Sequence, residues 1–93
     1  MPDLEALARR VAHDAPGRDA IEDVAVAEAE DALGRSAPVI SFLIGPDFAH
    51  GPLGGVRTDL RRRLRDGLLE RGEEVPPIIR FFAREDWERV PRA

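Results

Sequence analysis

The sequence predicts an α+β fold, a two-layer sandwich whose three-stranded sheet carries its helices on one face in the order α-β-β-α-β. Two segments with apolar residues three and four positions apart predict the helices. Three short runs rich in β-branched and aromatic residues predict the strands. A hairpin followed by a crossover helix and a last strand gives this layered arrangement. We expect a single domain, residues 1–93, because a chain of 93 residues is long enough for one modest core.

The composition is that of a chain that folds without covalent or metal cross-links. Val, Ile, Leu, Phe, Met and Trp account for 27 of the 93 residues, which is above the level at which a highly charged chain stays disordered. The absence of cysteine excludes disulfides and thiolate metal ligands. All 14 basic residues are arginine, which with abundant Ala, Gly and Pro suggests a GC-rich genome. Without an export signal or a long apolar run, we expect a cytoplasmic bacterial protein.

The first helix is predicted from DLEALARRVAHD, residues 3–14. Asp3 is available as the N-cap, and Pro16 begins a Pro-Gly pair that ends the pattern. The polar residues, His13 among them, fall away from the apolar stripe, so we expect His13 to be solvated. The stripe consists of residues at the spacing of one helical face, namely Leu4, Leu7, Ala8 and Val11.

Residues 21–31 are ambiguous, because they fit either an Ala-rich helix ending at Gly34 or a strand. As a strand, this segment alternates alanines with Val24, Val26, Glu28 and Glu30. We choose the strand because VISFLI, residues 39–44, follows as a strong strand with Ile40, Phe42 and Ile44 on one face. The turn between them, residues 31–36, contains a glycine, which is typical of a hairpin.

The arginine-rich segment RTDLRRRLRDGLLERG, residues 57–72, predicts the second helix. Its core-facing stripe recurs every four residues and consists of Val56, Leu60, Leu64 and Leu68. Gly72 supplies the left-handed position at the C-terminal end of the helix. The run IIRFFA, residues 78–83, predicts the third strand, and one helical turn is expected around Trp87.

The hairpin followed by LRDGLLERGEEVPPIIRFFAREDWE resembles short bacterial α-β-β-α-β proteins that have no assigned activity, over roughly residues 23–88. This resemblance implies a topology and no chemistry. The same order is similar to the KH-like cores of small ribosome-assembly factors, with Gly51-Pro52-Leu53-Gly54 in the place of their GxxG loop. The sequence departs from that loop, because no basic residue lies between the glycines and Pro52 has no N–H for a phosphate.

The sequence offers little for catalysis, with two Ser, one Thr, two His and no Cys or Tyr. Asp47 and His50 lie three residues apart in the loop after the second strand, and the simpler interpretation gives them a turn and a solvated position. The same loop could admit an anion near Arg57 and the helix N-terminus, but it lacks the nucleotide-binding fingerprints. We prefer a tight turn as the role of its glycines, Gly51, Gly54 and Gly55. We therefore expect no enzyme, no cofactor and no metal, and keep catalysis by Asp47 and His50 as a third hypothesis.

The charge distribution singles out the second helix. Residues 57–71 carry six Arg and three acids, a balance of +3, whereas residues 1–56 carry four Arg and ten acids, a balance of −6. Arg62 and Arg63 stand among acids that should pair with them. The remaining flank, Arg57, Arg61 and Arg65, has three interpretations: a solvated helix face, a contact with an acidic protein, or a weak nucleic-acid contact.

The C-terminal aromatic residues form a second candidate contact. Phe82, Trp87 and Val90 could form an exposed apolar patch or a lid on the sheet, and an open sheet edge invites pairing with another chain. We expect a small non-enzymatic bacterial interaction module that acts by protein–protein contact, with a partner protein or by self-association as a homodimer, and without a membrane partner. The alternative is a weak RNA-binding or ribosome-associated factor. The expected interaction residues are Arg57, Arg61, Arg65, Phe82 and Trp87.

Overall fold

The structure is a computed structural model that describes residues 2–14, 20–30, 32–45, 54–72 and 76–90. Its element order confirms the predicted α-β-β-α-β arrangement and the α+β class. The elements are α1 (Pro2–Asp14), β1 (Ile21–Glu30), β2 (Ser36–Ile44), α2 (Gly54–Glu70), β3 (Ile78–Phe82) and a C-terminal 3₁₀ helix (Arg84–Arg89).

Helix α1 presents its predicted apolar face to the core. Leu4, Leu7 and Ala8 are buried and Val11 is half-buried, whereas His13 is exposed as expected. The prediction of Asp3 as N-cap is wrong, because the helix already begins at Pro2. Proline suits this position, since the first N–H groups of a helix have no partner within it.

The hairpin forms as predicted, and the strand interpretation is confirmed for Ile21–Glu30. Strand β2 begins at Ser36, three residues before the predicted start, and thus includes Pro38. A proline removes one hydrogen-bond donor from a sheet. Its presence is compatible with this central strand because β3 pairs with β2 only from Val39 onward.

The sheet has the order β1-β2-β3, with β1 and β2 antiparallel and β2 and β3 parallel. Helix α2 makes the crossover between the two parallel strands, and it shares one face of the sheet with α1. Leu60 and Leu64 of α2 are completely buried there, as their spacing predicts. The core cluster also contains Leu4, Leu7, Ala8, Ala12, Val24, Val26, Ile40, Phe42 and Leu68.

Helix α1 packs against one flank of α2. A side chain at Gly67 would place its Cβ 3.2 Å from Cδ1 of Leu7, so this glycine allows the two helices to approach closely. The opposite flank of α2 faces β3. Gly72 has a φ of +80°, which confirms the left-handed position predicted at the end of α2.

The 3₁₀ helix lies against the second face of the sheet. Trp87 packs edge-on against Phe82, with ring centroids 6.4 Å apart. Arg84 forms an ion pair with Glu22 of β1. Val90, directly after this helix, is buried, whereas Phe82 and Trp87 are half-buried, so the aromatic end covers the sheet as a partly exposed lid.

Candidate protein-interaction surface

Two arginines of α2 converge on one aromatic ring of β3. The guanidinium carbons of Arg57 and Arg61 lie 5.4 and 5.5 Å from the ring centroid of Phe81. The core fixes the position of this ring, because the ring stacks on the buried Phe42 with centroids 5.5 Å apart. Each cation–π contact on an exposed surface contributes about 0.5–1 kcal/mol. We call Arg57, Arg61 and Phe81 the Arg–Phe cluster.

The cations of the Arg–Phe cluster have no carboxylate partner within the part of the chain that the structure describes. Arg65 continues the same row of α2 one turn further and is likewise exposed without such a partner among the described residues. Positive charges that are held together and uncompensated attract anionic groups. This flank of α2 therefore has the electrostatic character of a binding surface for acids.

The neighbouring arginines of α2 behave differently. Arg62 and Arg63 each donate a hydrogen bond to Asp59 at 2.7 Å, which confirms that these two arginines pair with an acidic residue of the same helix. The bond from Arg63, followed by that from Arg62, holds the pKa of Asp59 below its ordinary value. Such i,i+3 and i,i+4 pairs contribute about 0.2–0.5 kcal/mol each.

Strand β3 borders the Arg–Phe cluster and forms an edge of the sheet. All five of its residues are partly or fully exposed, whereas eight of the nine residues of β2 are buried. Within the described ranges β3 pairs with β2 alone. Apart from Arg80, its residues are Ile or Phe. A half-exposed apolar edge strand is a surface on which another strand can pair.

The opposite edge of the sheet, at β1, is closed at one point. Arg9 of α1 donates to the carbonyl oxygen of Val24 at 3.2 Å, and the Val24 N–H donates to Asp23 Oδ1 at 2.8 Å. Glu5 holds Arg9 from the other side at 2.9 Å, and this hydrogen bond is the main cause of the raised pKa of Arg9. With both main-chain groups of Val24 occupied, another strand cannot pair at this residue.

The residues expected from sequence to make contacts fall into two groups. Arg57 and Arg61 meet at the Arg–Phe cluster, and Arg65 extends their row. Phe82 and Trp87 meet on the other face of the sheet, since consecutive strand residues point to opposite faces. Phe81 was missed as a contact residue. Its signal in the sequence is an aromatic residue in the strand that follows a helix with arginines four residues apart.

Several other candidates give no site. Asp47, His50 and the residues from Gly51 to Leu53 lie outside the described residues. Among the residues that are described, no three His, Asp or Glu side chains are grouped to hold a metal ion, and no helix has the length and apolarity needed to cross a membrane. A surface cavity of about 350 Å³ lies between the end of α1 and the start of β1. Its lining includes Arg9 and Asp23, which already pair with each other.

A comparison of the chain with models of known protein families and with curated proteins finds no match. The Arg–Phe cluster and the exposed edge of β3 are thus the features from which a function can be argued.

Proposed function

We propose that this protein is a non-enzymatic interaction module of the bacterial cytoplasm that binds an acidic protein segment through the Arg–Phe cluster and the edge of β3. The observation that carries the proposal is the convergence of Arg57 and Arg61 on Phe81 without a carboxylate partner among the described residues. The scarcity of nucleophilic side chains in the sequence supports a binding role over a catalytic one.

The chemistry of the surface suits a protein partner. A planar guanidinium group binds a carboxylate through two parallel hydrogen bonds, and packing against an aromatic ring holds that group in place. Arginine and aromatic residues are also enriched at protein interfaces. Ile79, on the face of β3 that carries Phe81, and Ile78 and Phe82, on its other face, add half-exposed apolar area that a partner strand would remove from water.

The same surface suits RNA less well. The flank offers three cations on a chain of net charge −4. Three phosphate contacts would give a binding constant that falls roughly 40-fold between about 50 and about 200 mM salt. Base stacking needs an open aromatic face. Phe81 is covered by Phe42 and the two arginines, and Phe82 packs against Trp87.

The proposal can be tested by titrating the protein, at low and high salt, with a glutamate–alanine peptide (EAEAEA) and with a mixed-sequence RNA of similar charge. Binding is followed by amide chemical shifts. We expect the peptide to shift amides of β3 and α2, and the double substitution Arg57→Glu with Arg61→Glu to abolish this effect. The control Arg10→Glu with Arg62→Glu replaces two exposed arginines outside the Arg–Phe cluster, one on α1 and one on α2. It changes the net charge equally and should retain binding.

Two results would overturn this function. The first is that neither probe shifts β3 or α2. The second is that RNA binds more tightly than the peptide, with a steep salt dependence that is lost in Arg61→Glu with Arg65→Glu. That second result would favour the RNA-binding or ribosome-associated alternative.

A further inference from the structure

We infer that the acidic segment bound at β3 is the end of β1 from a second copy of this chain, so that the sheet continues from one copy to the next. The inference rests on the proposed function, because it uses the same Arg–Phe cluster. Its starting observation is that Glu28 and Glu30 are exposed at the end of β1 that lies away from the closed point at Val24.

The glutamates lie on the appropriate face of the sheet. Side chains alternate along a strand, so Glu28 and Glu30 share a face with Val24 and Val26, which are buried in the core beneath the helices. Phe81 belongs to the same face, because its ring packs on the same core. A sheet that continues with its helices on one side therefore brings glutamates next to the Arg–Phe cluster.

The spacing of the charges also matches. Two residues apart on a strand is about 6.6 Å, and four residues apart on a helix is about 6 Å. Glu28 and Glu30 of one copy can thus each meet one of Arg57 and Arg61 of the next. Glu28 already accepts a hydrogen bond from Ser36 through Oε2 at 3.3 Å, which leaves its second oxygen for an arginine.

The strand directions and edges agree with this pairing. β1 runs antiparallel to β2 and β3 runs parallel to it, so β1 of one copy meets β3 of the next as an antiparallel pair. Outward-facing main-chain groups recur on alternate residues of an edge strand. Since those of Val24 face outward, those of Val26, Glu28 and Glu30 do as well. This leaves residues 27–30 to pair with residues 79–82 of β3.

The side chains on the second face are complementary in size. When Glu28 lies opposite Phe81, Ala27 lies opposite Phe82 and Ala29 lies opposite Arg80. Small side chains of β1 thus meet large side chains of β3, which allows the strands to approach without a clash on that face.

Two-fold pairing of like edges is less favourable. Pairing β3 with β3 of another copy would gather the arginines of both copies on one face, and pairing β1 with β1 would gather glutamates and meet the closed edge at Val24. Like charges across an interface oppose association. The contact is therefore head-to-tail, which yields assemblies larger than a dimer unless a ring closes.

Sedimentation velocity of the intact chain, from micromolar to millimolar concentration, tests the inference. The wild type should exceed the 10.3 kDa mass of one chain as its concentration rises, and less so at high salt. Arg57→Glu with Arg61→Glu, and Glu28→Arg with Glu30→Arg, should each weaken association about tenfold or more. An equimolar mixture of the two variants should associate again, and so should the chain carrying all four substitutions. Arg10→Glu with Arg62→Glu is the matched control and should associate as the wild type does.

Recovery of association in the mixture and in the fourfold variant cannot arise from unfolding or from net charge alone. A wild type that stays at the mass of one chain throughout the range overturns the inference, and so does association that neither double substitution weakens. If the wild type does not self-associate but EAEAEA still binds at the Arg–Phe cluster, the second copy is refuted while the proposed function stands. If neither occurs, both are refuted.

Discussion

Replacing Leu64 with alanine should destabilise the fold severely, because this side chain has no exposed surface. It belongs to the core cluster together with Ile40 and Phe42 of the sheet. Truncation of a fully buried leucine removes apolar contacts and leaves a cavity, at a cost of about 2–5 kcal/mol in the free energy of unfolding. For a chain of this length, that loss lowers the thermal midpoint by roughly 8–40 °C.

Arg65→Ala is the matched control, one residue further along α2. Arg65 is exposed and lacks a carboxylate partner among the described residues, so the free energy of unfolding should change by no more than about 0.5 kcal/mol. Urea and thermal unfolding of both variants is monitored by circular dichroism, at a low protein concentration that avoids self-association. Equal shifts of the two midpoints would refute the assignment of α2 faces on which the Arg–Phe cluster depends.

Two further predictions concern contacts of α2. In a carboxyl-detected pH titration by NMR, the pKa of Asp59 should lie below that of an ordinary aspartate and rise in Arg63→Gln. Because the folded-state pKa of Asp59 is lowered, its ion pairs stabilise the fold at neutral pH, and this stabilisation is lost as the pH falls through the folded-state pKa. An unchanged Asp59 pKa in Arg63→Gln would contradict the hydrogen bond between these two residues. Gly67→Val should lower the free energy of unfolding by about 1–3 kcal/mol, because a branched side chain meets Leu7 where α1 and α2 approach most closely, and an unaltered urea midpoint would show that α1 can shift freely.

The elements that local periodicity encodes could be predicted from the sequence. Leucines four residues apart place one face of α2 in the core, and alternation of Val24, Val26, Glu28 and Glu30 with alanines gives the faces of β1. The predicted start of β2, at Val39, is three residues late, because the residues before it carry no β-branched or aromatic side chains and their pairing depends on β1.

The candidate surface was only half predictable, since it depends on contacts between distant parts of the chain. Periodicity indicates that Arg57 and Arg61 share a flank of α2, but not that this flank lies over Phe81. In the same way, Arg9 has the pattern of a solvated helix residue, and only the tertiary fold brings it to the carbonyl of Val24. The strand order, which determines which edge of the sheet is exposed, also depends on pairing between distant segments and could not be predicted from the sequence.

The parallel pairing of β3 has a consequence for the order in which the sheet forms and opens. In the hairpin, Glu30 pairs with Ser36 across a short turn, whereas Val39 pairs with Ile78, which lies 39 positions later in the chain. Closing the longer loop costs more conformational entropy. Only the contacts of the five residues of β3 with one neighbouring strand offset that entropy. β3 is thus the strand that detaches most readily, and its amides should exchange with solvent through local opening before those of β2. A partner strand bound along the free edge of β3 would oppose that opening. Binding of the partner and attachment of β3 to the sheet are therefore thermodynamically coupled.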